Sequence, residues 1–487
     1  MLKLQEAFIA VCATLALTPM DAVGQSHVRL VEQQGKFKLL CDGEHFAVKG
    51  VGGEEHLALL QSLGGNAIRT WNTDNIEEVL SEAHKHSIKV CVGIWLGHPR
   101  HGFDYRDANF VLEQLDTSLA VVRKYKDHPA VLMWAVGNEM EGEGNDPSVW
   151  YAVNHIAREI KQIDANHPTM TVIAEIGQDG QKVHNIERFC PDIDVIGINA
   201  YGGIESLGQR YSQVGSSKPY IVTEHGPLGP WESERTAWGS PVEWTSTKKA
   251  EFYRLGYVAN AVAHQERCLG TFAFLWGHKQ ETTATWFGML LPDGQRLGAA
   301  DAMSQLWTEK PLDDQSPNIK QIQFDEALSA NSVKPGKSLS ASVQADDDGS
   351  QSLKYQWKLL SDSATVGEGG DPQGNESDYS QLLKPEGAKV SFKAPEGGGG
   401  YRLFVYVYDS SGGAAVANLP FQVAAPIKLK SVMPAASLPY AIYEEVSTNS
   451  VFEPAGFMGN TAAIKLDSNC RDSARTGATC IKAQYTN

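Results

Sequence analysis

Between residues 46 and 277, short apolar runs alternate with stretches whose apolar positions recur every three to four residues. The runs "FAVKGV" (46–51), "NAIRTW" (66–71), "IKVCVGIWL" (88–96), "AVLMWAVGNE" (130–139), "TMTVIAE" (169–175), "IDVIGINAY" (193–201), "PYIVTEHG" (219–226) and "GTFAFLWG" (270–277) read as eight strands. Nearly continuous apolar character marks strands buried on both faces, as in a parallel sheet covered by helices. Segments 74–85, 108–126, 148–163 and 247–265 carry the helical spacing between them. Eight such pairs predict an α/β fold, a closed (β/α)8 TIM barrel. An open doubly wound sheet is the competitor, but "GVGGEEH" after the first strand puts acids where a pyrophosphate would sit. Residues 27–44 predict a β-hairpin that closes the bottom of the barrel.

Past residue 307 the period changes from 3.6 to 2. A polar, proline-containing stretch at 309–318 reads as a linker, and residues 319–424 alternate apolar and polar positions between Gly, Ser and Asp turns. This predicts an immunoglobulin-like β-sandwich with Trp357 in its core. Residues 427–487 are short for an independent core and read as part of a β-rich, candidate carbohydrate-binding module. Residues 25–310 would then form a self-contained catalytic barrel, with no site residue drawn from downstream.

The N-terminal 1–24 combine one lysine, an apolar stretch over 7–17 and the small residues Ala22-Val23-Gly24, which predicts a cleaved signal peptide and a secreted or periplasmic protein. The stretch is too short for a permanent membrane anchor. In an exported chain Cys470 and Cys480, flanking the turn-rich "RDSARTGAT", predict a local disulfide. Cys41, Cys91, Cys190 and Cys268 read as small buried hydrophobes, and no spacing resembles a metal site. No cofactor is expected. The aspartates at 346–348 lack a ligand-spaced glutamate and read as a solvated turn.

A net charge of −16 over 487 residues excludes the basic surface that nucleic acid or an anionic membrane requires. An uncharged carbohydrate substrate is compatible with it.

At the C-terminal ends of barrel strands, where such folds build their sites, stand Asn138 and Glu139 on the fourth strand, Glu175 on the fifth, Asn199 and Tyr201 on the sixth and Glu224 on the seventh. The fourth and seventh strands face each other across the mouth, so Glu139 and Glu224 can address one small volume. Two opposed carboxyls are what glycoside hydrolysis needs: one protonates the leaving oxygen, the other attacks or stabilises the anomeric carbon. A single strand-end glutamate would more simply be half of an ion pair; the pairing carries the signal. Glu175 is a spare acid, and Glu141 and Glu143 read as loop residues.

"WAVGNE" and "IVTEHG" resemble the acid/base and nucleophile motifs of the clan A retaining glycoside hydrolases, and "IRTW", "NAY" and "FLWG" fall where that clan has an arginine, a tyrosine and a tryptophan. The barrel is most similar to glycoside hydrolase family 2. The resemblance implies Glu139 as acid/base, Glu224 as nucleophile, Asn138 on the sugar 2-hydroxyl, Arg69 and Tyr201 supporting Glu224, and Trp276 as the floor of the cleaved-sugar subsite. Trp95, Trp231, Trp238, Trp244 and Trp286 on mouth loops, with His98 and His101, are further substrate-binding candidates, since sugar C–H faces stack on indoles. The leading reading is a hydrolase acting on a neutral β-linked glycan, first a β-glucan, with 1,3-linked chains among the candidates; the alternatives are a transglycosylase using the same site and a non-catalytic carbohydrate-binding protein.

Overall fold

The computed structural model of the chain describes residues 25–326, 328, 332–348, 352–362 and 376–424, with the backbone of 464–470 and 480–485. The expected signal segment at 1–24 and most of the expected module at 427–487 lie outside them.

A hairpin of β1 (Val28–Gln33) and β2 (Lys36–Cys41), extended by β3 (Glu44–His45), precedes eight parallel strands: β4 (Val48–Gly52), β5 (Ala67–Arg69), β6 (Lys89–Ile94), β7 (Val131–Asn138), β8 (Thr169–Ala174), β9 (Val195–Asn199), β10 (Tyr220–His225) and β11 (Cys268–Ala273). These eight close into a barrel, β11 pairing with β4. The outer helices are α1 (Leu57–Ser62), α2 (Ile76–Lys85), α3 (Ala108–Tyr125), α4 (Pro147–Ile163), α5 (Gln181–Phe189), α6 (Ile204–Val214), α7 (Ser246–Tyr257) and α8 (Gly298–Thr308). Their starts are chemically marked. Asp107, Asp146 and Thr245 accept hydrogen bonds from the first-turn N–H groups of α3, α4 and α7, and Pro147 occupies a position in α4 that needs no N–H.

The hairpin lies under the barrel, where Phe37 and Leu39 pack with Val48, Met133, Val195 and Leu269 from the strand bottoms. Side chains as large as Trp134 and Trp150 are fully buried between strands and helices. At about 1.5–3 kcal/mol per large apolar side chain, this layer dominates barrel stability.

After α8 the chain builds two sheets. One contains β13 (Asn318–Phe324), β15 (Ser338–Asp346), β18 (Lys389–Lys393) and β17 (Leu383–Glu386); the other contains β16 (Lys354–Ser361), β19 (Gly399–Tyr408), β20 (Gly413–Val423), β14 (Ser332–Val333) and β12 (Arg296–Leu297). Trp357 is buried between them. A final pair, β21 (Ile464–Cys470) and β22 (Cys480–Tyr485), sets Cys470 opposite Cys480 along the backbone; the side chains of the expected disulfide lie outside the described residues.

β12 lies in the chain between the last barrel strand and α8, outside the closed barrel, and pairs with β20 of the sandwich. Leu291 and Leu297 bury themselves there against Phe404, Tyr406 and Val416. The segment expected as a linker is also tied down: the Ser316 N–H donates to Asp301 at 2.6 Å, and Arg296 meets Asp314 at 3.6 Å. The two β-rich and α/β units therefore share a strand and a core, contrary to the expected self-contained barrel.

Candidate active site

β7 explains how a buried strand comes to end on a charged group. Its register against β8 shifts between Ala135 and Asn138, and Gly137 within the shift has φ 78°, a conformation open to glycine at little cost. A Cβ there would stand 2.2 Å from the Met140 sulfur. The bulge turns Asn138 and Glu139 together toward the mouth, and Glu139 itself is held at φ 54°, a strained conformation of the kind that clusters at functional sites. β10 shows a similar shift against β9 between Val222 and Glu224.

The result is a cavity of about 520 Å³ lined by Asn138, Glu139, Asn199, Tyr201 and Glu224 among others. One hydrogen-bond network joins them. Asn199 Nδ2 donates to Glu139 Oε1 at 2.6 Å and to Asn138 Oδ1 at 3.1 Å. Arg69, fully buried at the end of β5, donates to Asn138 Oδ1 at 2.6 Å and to Glu224 Oε1 at 2.8 Å. Glu224 Oε1 also accepts from Trp71 Nε1 at 2.8 Å, and its Oε2 accepts from the Tyr201 hydroxyl at 2.8 Å. Thr223 Oγ1 donates to Asn199 Oδ1 at 2.7 Å, which fixes the orientation of that amide.

The two carboxyls thus sit in different surroundings. Burial, with the Glu224 charge next in importance, pushes Glu139 up to about 7, so a large share of it is still protonated in neutral solution. Glu224 receives three side-chain donors over its two oxygens, one of them the Arg69 cation. Burial and the neighbouring Glu224 hold the Tyr201 phenol far above its ordinary range, so it remains a donor. An acid with a raised pKa beside a carboxylate whose lone pairs are oriented is the division of labour expected for glycosyl transfer.

Other candidates fall differently. Trp95 and Trp231 line the cavity and are partly exposed. His98 does not line it; it is buried behind Trp95, its ring stacked on the indole at 4.8 Å. Trp276 is a correction. It is 2% exposed and donates to the Glu55 carbonyl at 2.7 Å, away from the cavity, and Phe274 and Leu275 form the wall expected of it. Trp286 is buried and donates to the Leu228 carbonyl, while Trp244 packs on Phe252. Glu175 reaches the cavity but is paired with Arg210 at 2.8 Å, and Glu141 is buried against Lys182.

Three groups went unassigned in the sequence. Trp71 lies two residues beyond Arg69, and the period of two that places both on one strand face was the available signal. Lys279 and Glu281, paired at 2.7 Å, line the cavity from the segment after β11. Glu243 is the third. It accepts from Lys249 at 2.5 Å, Thr283 at 2.7 Å and Thr285 at 2.8 Å, and Thr283 is bridged through its backbone to Glu281. The sandwich completes this cluster: Asn418 donates to Glu243 at 2.6 Å, and the fully buried Arg402 donates to Ser240 Oγ at 2.9 Å and the Pro241 carbonyl at 2.8 Å. Burial raises Glu243, but the Lys249 and Arg402 cations more than offset it and hold the carboxyl below its usual range. Among the described residues, no cluster of histidine, cysteine or acidic side chains could hold a metal ion.

Residues 54–265 match the family model described as glycosyl hydrolases family 2, TIM barrel domain. Curated relatives include a beta-glucuronidase of Pongo abelii, 31% identical over 146 residues that make up 29% of this chain and 20% of that protein, and a beta-glucuronidase of Rattus norvegicus, 30% identical over 223 residues, 39% of this chain and 32% of that protein. The matched segment therefore spans between a fifth and a third of these relatives' own length. A solved beta-glucuronidase from an uncultured Clostridium sp. superposes with a TM-score of 0.48 at 19% identity, covering 58% of this chain and 54% of its own. The closed eight-stranded parallel barrel is thus, over residues 54–265, similar to the TIM barrel domain of glycosyl hydrolases family 2.

Proposed function

We propose that the protein is a retaining β-glycoside hydrolase in which Glu224 attacks the anomeric carbon and Glu139 protonates the leaving oxygen, then deprotonates the water that releases the sugar. The observation that carries this reading is the single network holding both carboxyls in one cavity while giving them opposite environments. Asn138, oriented by Arg69 and Asn199, is placed to bind a hydroxyl of the reacting sugar, an interaction of the kind that strengthens in the transition state. Phe274 and Leu275 give the apolar wall against which a sugar C–H face rests.

The substrate we infer is a neutral β-linked glycan, a β-glucan first, rather than the glucuronide that the relatives' name suggests. Of the five carboxyl side chains that line the cavity, Glu224, Glu175 and Glu281 already engage Arg69, Arg210 and Lys279, Glu232 accepts from the Gly202 and Gly229 N–H groups, and Glu139 is raised to about 7, so each of these cations is already taken by a protein carboxylate. A substrate carboxylate would have to compete for them, whereas a neutral sugar would not. Export, inferred from the N-terminal residues, would place the enzyme where such polymers occur.

The test is hydrolysis of 4-nitrophenyl β-glucoside, β-galactoside, β-mannoside and β-glucuronide, with the anomer of the first-formed product read by NMR. The reading expects a neutral glycoside to be preferred and the β-anomer to form first. Faster turnover of the glucuronide refutes the substrate class, and an α-anomer refutes the mechanism.

A further inference from the structure

A second cavity, of about 540 Å³, adjoins the catalytic one, and the two share Trp71 and Trp95 as walls. It lies between the end of β6, the segment after β5 and one side of α3, from Phe110 to Val121. Each volume falls within the roughly 300–1,000 Å³ of small-molecule sites. Its lining is mixed in a particular way: Trp95, Phe103 and Phe110 supply aromatic surface, while Asn72, Asp74 and Gln114 supply amide and carboxylate groups.

The aromatic surface is also held in place. Trp95 is 39% exposed on the side of the cavities, and its indole is backed by the buried His98 ring. Phe110, 44% exposed at the start of α3, contacts Phe103, whose ring packs in turn on the buried Tyr105. Exposed aromatic rings braced from behind present a platform that loses little entropy on binding. Apolar ring faces bordered by hydrogen-bonding side chains fit a ligand with C–H faces and equatorial hydroxyls.

We propose that this second cavity is a glycosyl-binding subsite, continuous with the catalytic pocket, that takes further sugar units of the β-linked chain cleaved between Glu139 and Glu224. The proposal rests on the hydrolase reading above and deepens it: the enzyme engages a chain on more than its reacting sugar, and its preferred substrates are oligomers rather than simple glycosides. Trp71 couples the two cavities, since it holds Glu224 with its indole N–H and borders the outer site with its ring.

The experiment separates binding from turnover. In the full chain carrying Glu224→Gln, affinities are measured by calorimetry for β-1,3- and β-1,4-gluco-oligosaccharides of two to six units. Affinity is expected to climb by about tenfold or more between the shortest and longest member of one series. Adding Phe110→Ala should remove most of that gain, and Phe110→Trp should keep it; Phe110 is exposed, so neither change disturbs the barrel core. Affinity independent of length in both series, or a length gain untouched by Phe110→Ala, overturns the proposal. Failure of the hydrolase reading shows separately, as an unsubstituted enzyme that binds the oligosaccharides without cleaving them.

Discussion

Arg402 stands in the sandwich and yet holds a segment of the barrel's mouth, so replacing it tests how far the two units act as one. Its guanidinium donates to Asp362 Oδ1 at 3.0 Å, Asn418 Oδ1 at 2.8 Å, Ser240 Oγ at 2.9 Å and the Pro241 carbonyl at 2.8 Å, with no exposure to solvent. Arg402→Met keeps most of the aliphatic stem and removes the charge. Asp362, whose side chain is 3% exposed, is then left as a buried carboxylate without its cation. Breaking one side of such a pair costs about 3–5 kcal/mol, a large part of the roughly 5–15 kcal/mol that holds a native domain together. Removing both charges, as Arg402→Met with Asp362→Leu, should recover part of this loss, because no buried charge is left unpaired, although Asn418, Ser240 and the Pro241 carbonyl still lose a donor. Recovery of stability should not restore activity in full. The segment carrying Ser240 and Glu243, which steadies Thr283 and through it the cavity residue Glu281, still lacks its anchor. Urea denaturation gives the stabilities and kcat/KM on a small aryl glycoside gives the activity. A single variant within about 1 kcal/mol of the parent chain would refute the reasoning, as the smallest cost expected for a broken buried pair is well above that. By the same logic a chain stopped at residue 310 loses Asn418 and Arg402 from the Glu243 cluster and β20 from β12, and should fail even on a small soluble substrate.

Glu139 must be protonated to act as an acid, so kcat/KM should fall as pH rises through about 7; with Glu224→Gln the repulsion that helps to raise Glu139 is gone, and its titration, followed by carboxyl carbon NMR, should move down. An unmoved or higher titration would contradict the assigned coupling. Glu139→Ala should slow substrates with poor leaving groups far more than 4-nitrophenyl glycosides, and a uniform loss would point to Glu175. Trp71→Phe removes one donor to Glu224 while keeping an aromatic ring, and should lower kcat roughly tenfold or more with a smaller change in KM. Gly137→Ala places a side chain where φ is positive and Met140 is close, costs about 1–2 kcal/mol from the backbone alone, and should reduce kcat by misplacing Asn138 and Glu139; a variant of parental kcat would show that the bulge is not needed.

The barrel was legible because its strands are buried on both faces and leave unbroken apolar runs; β7 and β10 lie within a residue of the runs that announce them. Arg69, Asn138, Glu139, Asn199, Tyr201 and Glu224 were legible for a related reason, since each stands at or near the end of such a run and the barrel brings those ends to one mouth. The tryptophans were not. Trp276 follows β11 at a point where the strand has ended, so no period tells which way its indole turns, and Phe274 and Leu275 take the cavity instead. Loop residues such as Lys279, Glu281 and Trp238 carry no periodicity at all. Glu243 and Arg402 are 159 residues apart by their numbers, and only the docking of the sandwich brings them together. The polar stretch at 309–318 reads as a linker because sequence shows polarity and not the partners that Asp314 and Ser316 find.

The strand β12 has a bearing on how such a chain could be recombined. Because Arg296 and Leu297 are spoken for by Gly413 and Ala414, the seam between catalytic and accessory units runs through a sheet and not through the covalent joint at 309–318. A foreign sandwich spliced in at that joint would meet an unpaired β12 and a bare Leu291 and Leu297 surface unless it brought its own equivalent of β20. Shuffling of the catalytic unit among accessory partners is thereby restricted to donors that match this edge, and engineered fusions should cut after Ala424 or ahead of the whole barrel.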